Sequence, residues 1–451
     1  MTGRAFGAAL ANAGLGPDAA ARKVVLFEHA LAVLQARQSG PLAGSVRGLH
    51  VPGRIEVFGK HTDYAGGRSL ICATDRGIVA VAIARDDQRL VVIDAATRTE
   101  VALELGADVV ASGPVWATYV EAVARRVARN FPSSLGGATI AFASDLPQAA
   151  GLSSSSALVV AVFLALAGVS PIEECAEYGD AIHTPEDLAG YMATLENGLS
   201  YGRLAGDRGV GTFGGSEDHT AMLCCHAGML SQYAFCPVRR EADVALQDDL
   251  VFVVAASGVV AQKTGAAREA YNRAALAAGT VLERWNQVTG RLDLSLAAAC
   301  TAAPDAPERI RDALARTGGD STFPAAALRD RFDQFCEESL TIVPAASAAF
   351  AAGDVAAVGT LAARSQWLAE RCLGNQVPET VHLARAAPLL GALASSAFGA
   401  GFGGSVWALV TRGRAASFLE DWRGDYLARF PGRSAGCTFF ETRPGSPVIR
   451  A

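Results

Sequence analysis

The strongest constraint in this chain is the stretch AAGLSSSSALVVAVFLALAG at 149–168, where four consecutive serines open onto an apolar run. From Ala157 to Val169 thirteen residues pass without a polar side chain. That is short of the ~20 residues needed to span a bilayer, so the run reads as a helix buried on all sides. The loop before it is made of small residues, which let backbone come close to a ligand. The helix that follows would turn its unpaired N–H groups and positive dipole end toward that loop. An anion-binding loop and an ordinary serine N-cap both fit the stretch. A cap, however, needs one serine and not four.

At 451 residues, the chain is too long for one core, given ~100–200 residues per domain. Apolar residues make up 51% and charged residues 19%, which describes a globular protein with ample core material. The formal net charge of −6, with no block of consecutive Lys or Arg, offers no electrostatic footprint for nucleic acid or an anionic membrane. Small-molecule chemistry is the better expectation. Nine scattered cysteines without a C-x-x-C pair indicate neither a zinc site nor a disulfide framework. The N-terminal MTGRAFGAALANAG lacks a sustained apolar segment of the secretory kind. Reduced thiols and a cytoplasmic location are therefore expected.

Residues 1–40 have helical periodicity, most plainly in KVVLFEHALAVLQA. Val- and Ile-rich runs follow (GRIEVF, SLICATDRGIVAVAIA, RLVVIDAA, TEVALEL) and read as strands. ATYVEAVARRVARNF returns to helical period, and ATIAFASDLP reads as another strand. A second block starts near 228 with MLSQYAF and LVFVVAAS, runs through Ala-rich helices to about 390, and ends in SSAFGAGFGGSVWALV, a Gly-rich loop leading into an apolar strand. The class is α+β, divided into 1–227 and 228–451.

Two further segments bear on chemistry. GRIEVFGKHTDYAGG (53–67) comes close to a P-loop, but five residues separate Gly53 from Gly59 and His61 stands where the Mg²⁺-binding Ser or Thr belongs. GAGFGGS (399–405) holds four glycines in seven residues, which suggests backbone passing close to something or adopting positive φ, although taken singly a structural turn is the more probable reading.

Together the three segments resemble the GHMP kinase superfamily, and galactokinases within it. That family has the motifs G-R-[VI]-N-x-[IL]-G-E-H-T-D-Y, P-x-G-x-G-L-S-S-S-A and G-x-G-F-G-G. This chain has GRIEVFGKHTDY at 53–64, PQAAGLSSSS at 147–156 and GAGFGG at 399–404, in the same order. Weaker similarities lie between them, in WATYVEAV (116–123), GGSEDHTAML (214–223) and SGVVAQKTGAAREAYNRA (257–274). The resemblance implies a two-domain α+β fold with the active site between the domains. ATP and Mg²⁺ would be used, and a monosaccharide would be phosphorylated at its anomeric C1 hydroxyl.

It also implies roles for particular residues. Asp218 would accept the proton of the substrate hydroxyl, and Arg54 would hold Asp218 ionised while offsetting charge on the moving phosphoryl group. Gly151, Leu152, Ser153, Ser154, Ser155 and Ser156 would form the phosphate loop. Ser155 and Glu196 would ligate Mg²⁺, and Trp116 with Tyr119 would line the adenine pocket. Asp63, His61, Tyr64 and Tyr271 would contact the sugar.

Three positions depart from the family's pattern: Ala149 for Gly, His219 for Gln and Lys60 for Glu. Lys60 replaces an acidic sugar contact, so either it faces the substrate, which would suit a sugar acid such as galacturonate, or it turns away toward an acidic neighbour such as Glu56. Galactose or a related neutral sugar remains the leading expectation. A non-catalytic ATP and sugar sensor, or a kinase for a non-sugar alcohol, are the other classes. Sequence leaves the oligomeric state open.

Overall fold

The structure is a computed structural model that describes residues 1–37, 45–147, 151–259 and 265–451. Ala149, and the 260–264 part of the segment preceding Tyr271, lie outside the described residues.

β1 (Arg47–Phe58) and β2 (Arg68–Arg85) form a long antiparallel pair that is the spine of an eight-stranded sheet. β3 (Arg89–Asp94), β4 (Glu100–Glu104), β5 (Gly137–Ser144) and β12 (Ile449–Arg450) complete the order β12-β1-β2-β5-β3-β4. Strand alternation divides β2 between two faces. Val79 and Val81 meet α1 (Gly3–Asn12) and α2 (Pro17–Arg37) through Phe6, Leu10, Phe27 and Leu34. Ala80 and Ala82 face the other way, with α3 (Ala117–Asn130) and α4 (Ser154–Ala167).

α4 is the apolar run of the sequence, and every residue from Ser156 to Ala167 is buried. Each fully buried Val, Leu or Phe there contributes roughly 1.5–3 kcal/mol. The short α5 (Ala176–Gly179) leads to α6 (Pro185–Asn197), and α7 (Glu217–Cys224) packs against it and against β1 and β2.

The second sheet has the order β11-β8-β10-β9, built from β8 (Leu250–Ala256), β9 (Ala394–Phe398), β10 (Ser405–Thr411) and β11 (Thr438–Thr442). Its outer face, Val251, Val253, Val406 and Val410, packs on α14 (Pro378–Leu389) and α15 (Ala415–Arg429). Its inner face joins the main core. Trp407 stands edge-on to Phe58 of the first sheet, 6.0 Å between ring centroids, and to Phe252 at 5.7 Å.

Between β8 and β9 the chain is helical. α8 (Gly265–Thr289), α9 (Leu296–Thr301), α10 (Ala306–Thr317) and α11 (Ala325–Cys336) share a separate core around Val281, Trp285, Ile310 and Phe332, to which Ala65 also belongs. A π-helical turn (Glu337–Ile342) leads into α12 (Val343–Ala352) and α13 (Val355–Leu368).

Two α+β layers are therefore present, but the sheets do not divide at 227. β6 (Met229–Ala234) pairs with β2, and β7 (Arg239–Ala245) pairs with β6, so both extend the first sheet and the second begins only with β8. Among the described residues no helix is long and apolar enough to cross a membrane.

Candidate active site

Strand geometry places the first functional side chains. Residues two apart on β1 share a face, so Arg54 and Glu56 point together into a cleft while Ile55 and Val57 enter the main core.

The three glycine- and serine-bearing segments converge on Arg54. Its Nη1 donates to the Gly151 carbonyl at 2.6 Å, and its backbone N–H donates to the Leu152 carbonyl at 3.4 Å. Gly399 closes the third side with φ at +78°, where an added Cβ would lie 2.9 Å from the Gly151 oxygen. Only glycine fits there, because it must combine a left-handed backbone with close contact.

Arg54 Nε and Nη2 each lie 2.7 Å from Asp218 Oδ1. The second carboxylate oxygen, Oδ2, accepts from Ser156 Oγ at 3.2 Å. Asp218 occupies the first turn of α7, where the helix dipole favours negative charge. Burial pulls the Arg54 pKa down, but Asp218, Glu217 and Glu56 outweigh it and raise it above the ordinary value. The guanidinium is thus a permanent cation beside a carboxylate that still lines the cleft.

Asp63 also lines the cleft, and its Oδ2 accepts the Glu217 N–H at 3.2 Å. His61 is held from both ring nitrogens: Nε2 lies 3.1 Å from the Ala400 carbonyl and 3.3 Å from Asn375 Nδ2, and Nδ1 lies 2.9 Å from the Tyr64 hydroxyl. Tyr64 sits behind His61, and its hydroxyl also accepts from Arg331. Burial pushes the Tyr64 phenol up to about 12. Tyr271 lines the cleft with its ring 5.3 Å from that of His61.

Glu196 and His219 complete the wall, with His219 Nε2 3.1 Å from Glu196 Oε1 and both side chains buried. In the serine loop Ser153 adopts a left-handed conformation (φ 59°, ψ 41°) and its side chain makes no cap bond to α4. The ordinary N-cap alternative therefore does not describe it. Leu152 is buried, while Ser154 and Ser155 are partly exposed at the start of α4. Trp116 and Tyr119 pack at the edge of the main core, Trp116 edge-on to Phe142 at 5.4 Å, and neither lines the cleft.

Lys60 does not face the cleft. Its Nζ donates to Ser365 Oγ at 2.7 Å and Ser396 Oγ at 2.9 Å, and its side chain is fully buried between α13 and β9. Ser365 passes the charge on by donating to Glu338 Oε1 at 2.8 Å, and the same oxygen accepts the Gly59 N–H at 2.9 Å. A buried ammonium needs such partners, and this pair of hydroxyls backed by a carboxylate supplies them. The expected sugar contact through Lys60 is thereby corrected, and its partner is not Glu56.

Two carboxylates that sequence reasoning did not single out also line the cleft. Glu56 and Glu217 are buried side by side and hydrogen-bonded to each other. Burial, only partly offset by Arg54 and Lys60, raises Glu56 to about 7. Burial and the Glu56 charge likewise push Glu217 well up. Glu217 Oε1 lies 3.6 Å from Arg54 Nε, and Oε2 accepts from Ser69 at 2.6 Å. The available signal was position: Glu56 follows Arg54 by two on a strand, and Glu217 adjoins Asp218.

Residues 45–84 match the galactokinase galactose-binding signature, 118–206 the N-terminal domain of GHMP kinases and 346–427 their C-terminal domain. A galactokinase from Haemophilus influenzae (strain PittGG) is 29% identical over 182 residues, 40% of this chain and 44% of that protein. One from Actinobacillus pleuropneumoniae serotype 5b is 35% identical over 116 residues, 25% of this chain and 30% of that protein. The chain thus aligns with less than half the length of these curated relatives. The fold is that of Lactococcus lactis galactokinase, solved with galactose, at a TM-score of 0.75 and 21% identity, covering 94% of this chain and 99% of that one. The Methanococcus jannaschii mevalonate kinase superposes at 0.51 and 13% identity, over 89% and 99%. The chain thus carries matches to the galactokinase galactose-binding signature and to the N- and C-terminal domains of GHMP kinases, in that order along one fold.

Proposed function

We propose that this protein is an ATP-dependent sugar kinase of the galactokinase type, transferring the γ-phosphoryl group of ATP to the anomeric C1 hydroxyl of galactose or a related monosaccharide. The observation that carries the reading is the buried Arg54–Asp218 pair opening into a cleft that also holds Asp63. Asp218 takes the proton of the C1 hydroxyl as its oxygen bonds to the γ-phosphorus and the bond to the ADP oxygen breaks. Arg54 keeps Asp218 ionised beforehand and offsets the charge that builds on the phosphoryl group. Asp63 and the His61–Tyr64–Tyr271 cluster hold the sugar ring.

The nucleotide phosphates belong at the serine loop, where Gly151, Leu152, Ser153 and Ser154 offer backbone amides and hydroxyls at the start of α4. Trp116 and Tyr119 would flank the adenine. Ser155 and Glu196 would hold Mg²⁺: a hydroxyl and a carboxylate are the hard oxygen donors that this ion takes, and Glu196 already faces the cleft. Bound there, the ion neutralises triphosphate charge. A cytoplasmic location, where ATP is plentiful and thiols stay reduced, fits the nine free cysteines.

The sugar-acid alternative loses its support with Lys60 turned away from the cleft. ADP release is to be measured across neutral sugars and uronates, with ³¹P spectra of the product. Sugar-stimulated ADP release with a phosphate on C1 is the expected result. Tight binding of ATP and sugar without turnover would instead make the protein a sensor.

A further inference from the structure

The feature that the proposed reaction leaves unused is Glu56. Its side chain is buried, it lines the same cleft as Arg54 and Asp218, and its Oε1 has no hydrogen-bond partner in the protein. In the motif this chain resembles, the position after Gly-Arg-Ile is Asn, which can both donate and accept; a carboxylate oxygen can only accept. Leaving such an oxygen buried and unmet is unfavourable. That expense is removed when a donor enters the cleft.

The surroundings narrow what that donor is. Glu56, Asp63, Glu196, Glu217 and Asp218 all line the cleft, against the single guanidinium of Arg54. Glu56 stands beside Glu217 in this lining, and its Oε1 is left without a partner there. Such a lining attracts hydroxyl and ammonium groups and repels a carboxylate.

Resting on the sugar-kinase reading, we propose that Glu56 is a specificity-determining residue: it accepts a hydrogen bond from a hydroxyl or ammonium substituent of the bound sugar, and the acidic lining of the site excludes a sugar that bears a carboxylate. A site built to hydrogen-bond a substituent rejects the analogue that cannot supply it by a large factor.

The test uses three probes of one ring configuration, D-galactose, D-galactosamine and D-galacturonate, with kcat and KM measured for the full chain and two variants. The unaltered protein is expected to turn over galactose and galactosamine and to use galacturonate at least about a hundredfold less efficiently. Glu56→Met, which removes the acceptor, is expected to raise KM for both substrates about tenfold, with the larger part of the loss in KM and not in kcat. Glu56→Gln keeps a carbonyl acceptor but no charge. It should therefore restore most of the galactose KM while raising the galactosamine-to-galactose KM ratio about fivefold.

KM values within twofold of the unaltered protein in Glu56→Met overturn the proposal. Should that variant not fold, an unchanged KM ratio in Glu56→Gln overturns it as well, as does efficient use of galacturonate. Turnover of sugars with any of these results defeats this inference alone. Absence of turnover on every sugar defeats the sugar-kinase reading with it.

Discussion

Arg54 and Asp218 lie 164 residues apart in the chain and meet at 2.7 Å, with the arginine also bonded to the carbonyl of Gly151. One guanidinium therefore ties the first strand, the serine loop and the start of α7 into a single arrangement.

If Asp218 receives the substrate proton, Asp218→Asn should lower kcat by about 10²–10⁴-fold while sugar KM changes far less. Steady-state kinetics with a urea melt separates this from unfolding. A kcat within a few fold of the unaltered enzyme would remove Asp218 from the chemistry.

Ser156 steadies the second oxygen of Asp218 with a single neutral hydroxyl. Ser156→Ala removes one hydrogen bond worth ~0.5–1.5 kcal/mol, so kcat/KM should fall about threefold to tenfold. The unfolding midpoint should hardly move, since alanine fits the same helical site. A fall in stability without a fall in kcat/KM would assign Ser156 to packing.

Lys60 is a structural cation, bonded to Ser365 and Ser396 and linked through Ser365 to Glu338. Lys60→Met should destabilise the fold by ~1–3 kcal/mol for each buried partner left unmet, and Lys60→Glu by more, because it sets a second carboxylate near Glu338. Preference between neutral sugars and uronates should stay the same. Thermal melts and the sugar panel decide it, and a switch in preference without loss of stability would return Lys60 to the substrate site.

Glu56 gives the fold a pH dependence of defined sign. Burial raises its carboxyl from 4.5 to about 7, against the pull of Arg54 and Lys60 and with Glu217 and Glu338 close by. The folded state thus holds a proton that the unfolded chain has already lost. This contribution is complete below about 4.5 and fades as pH rises toward 7. Urea melts between pH 5 and pH 7.5 should show a smaller decline with pH in Glu56→Gln than in the unaltered protein. Parallel declines would mean that Glu56 is ionised throughout.

Arg54, Asp63, Asp218 and the serine loop could be read from the chain because each sits in a short local motif whose spacing survives on the page. The strands β7, β9, β11 and β12 were not marked in advance, since short runs such as ASSAF or IR become strands only beside a partner. Sheet membership was hidden for the same reason, as β6 and β7 follow 227 in the chain but join the first sheet by pairing with β2.

What the sequence determined by itself is the fold class and the buried helix after the serines, for which periodicity suffices; Arg54 and Asp218 were marked only by resemblance to a family, and the fold brings them to 2.7 Å. The tertiary structure decided where Lys60 spends its charge and where Glu56 keeps an unmet oxygen, because both depend on partners hundreds of residues away or on which face of a strand is turned inward. Lys60 reaches Ser365 and Ser396 across 305 and 336 residues, and no local pattern encodes such a meeting.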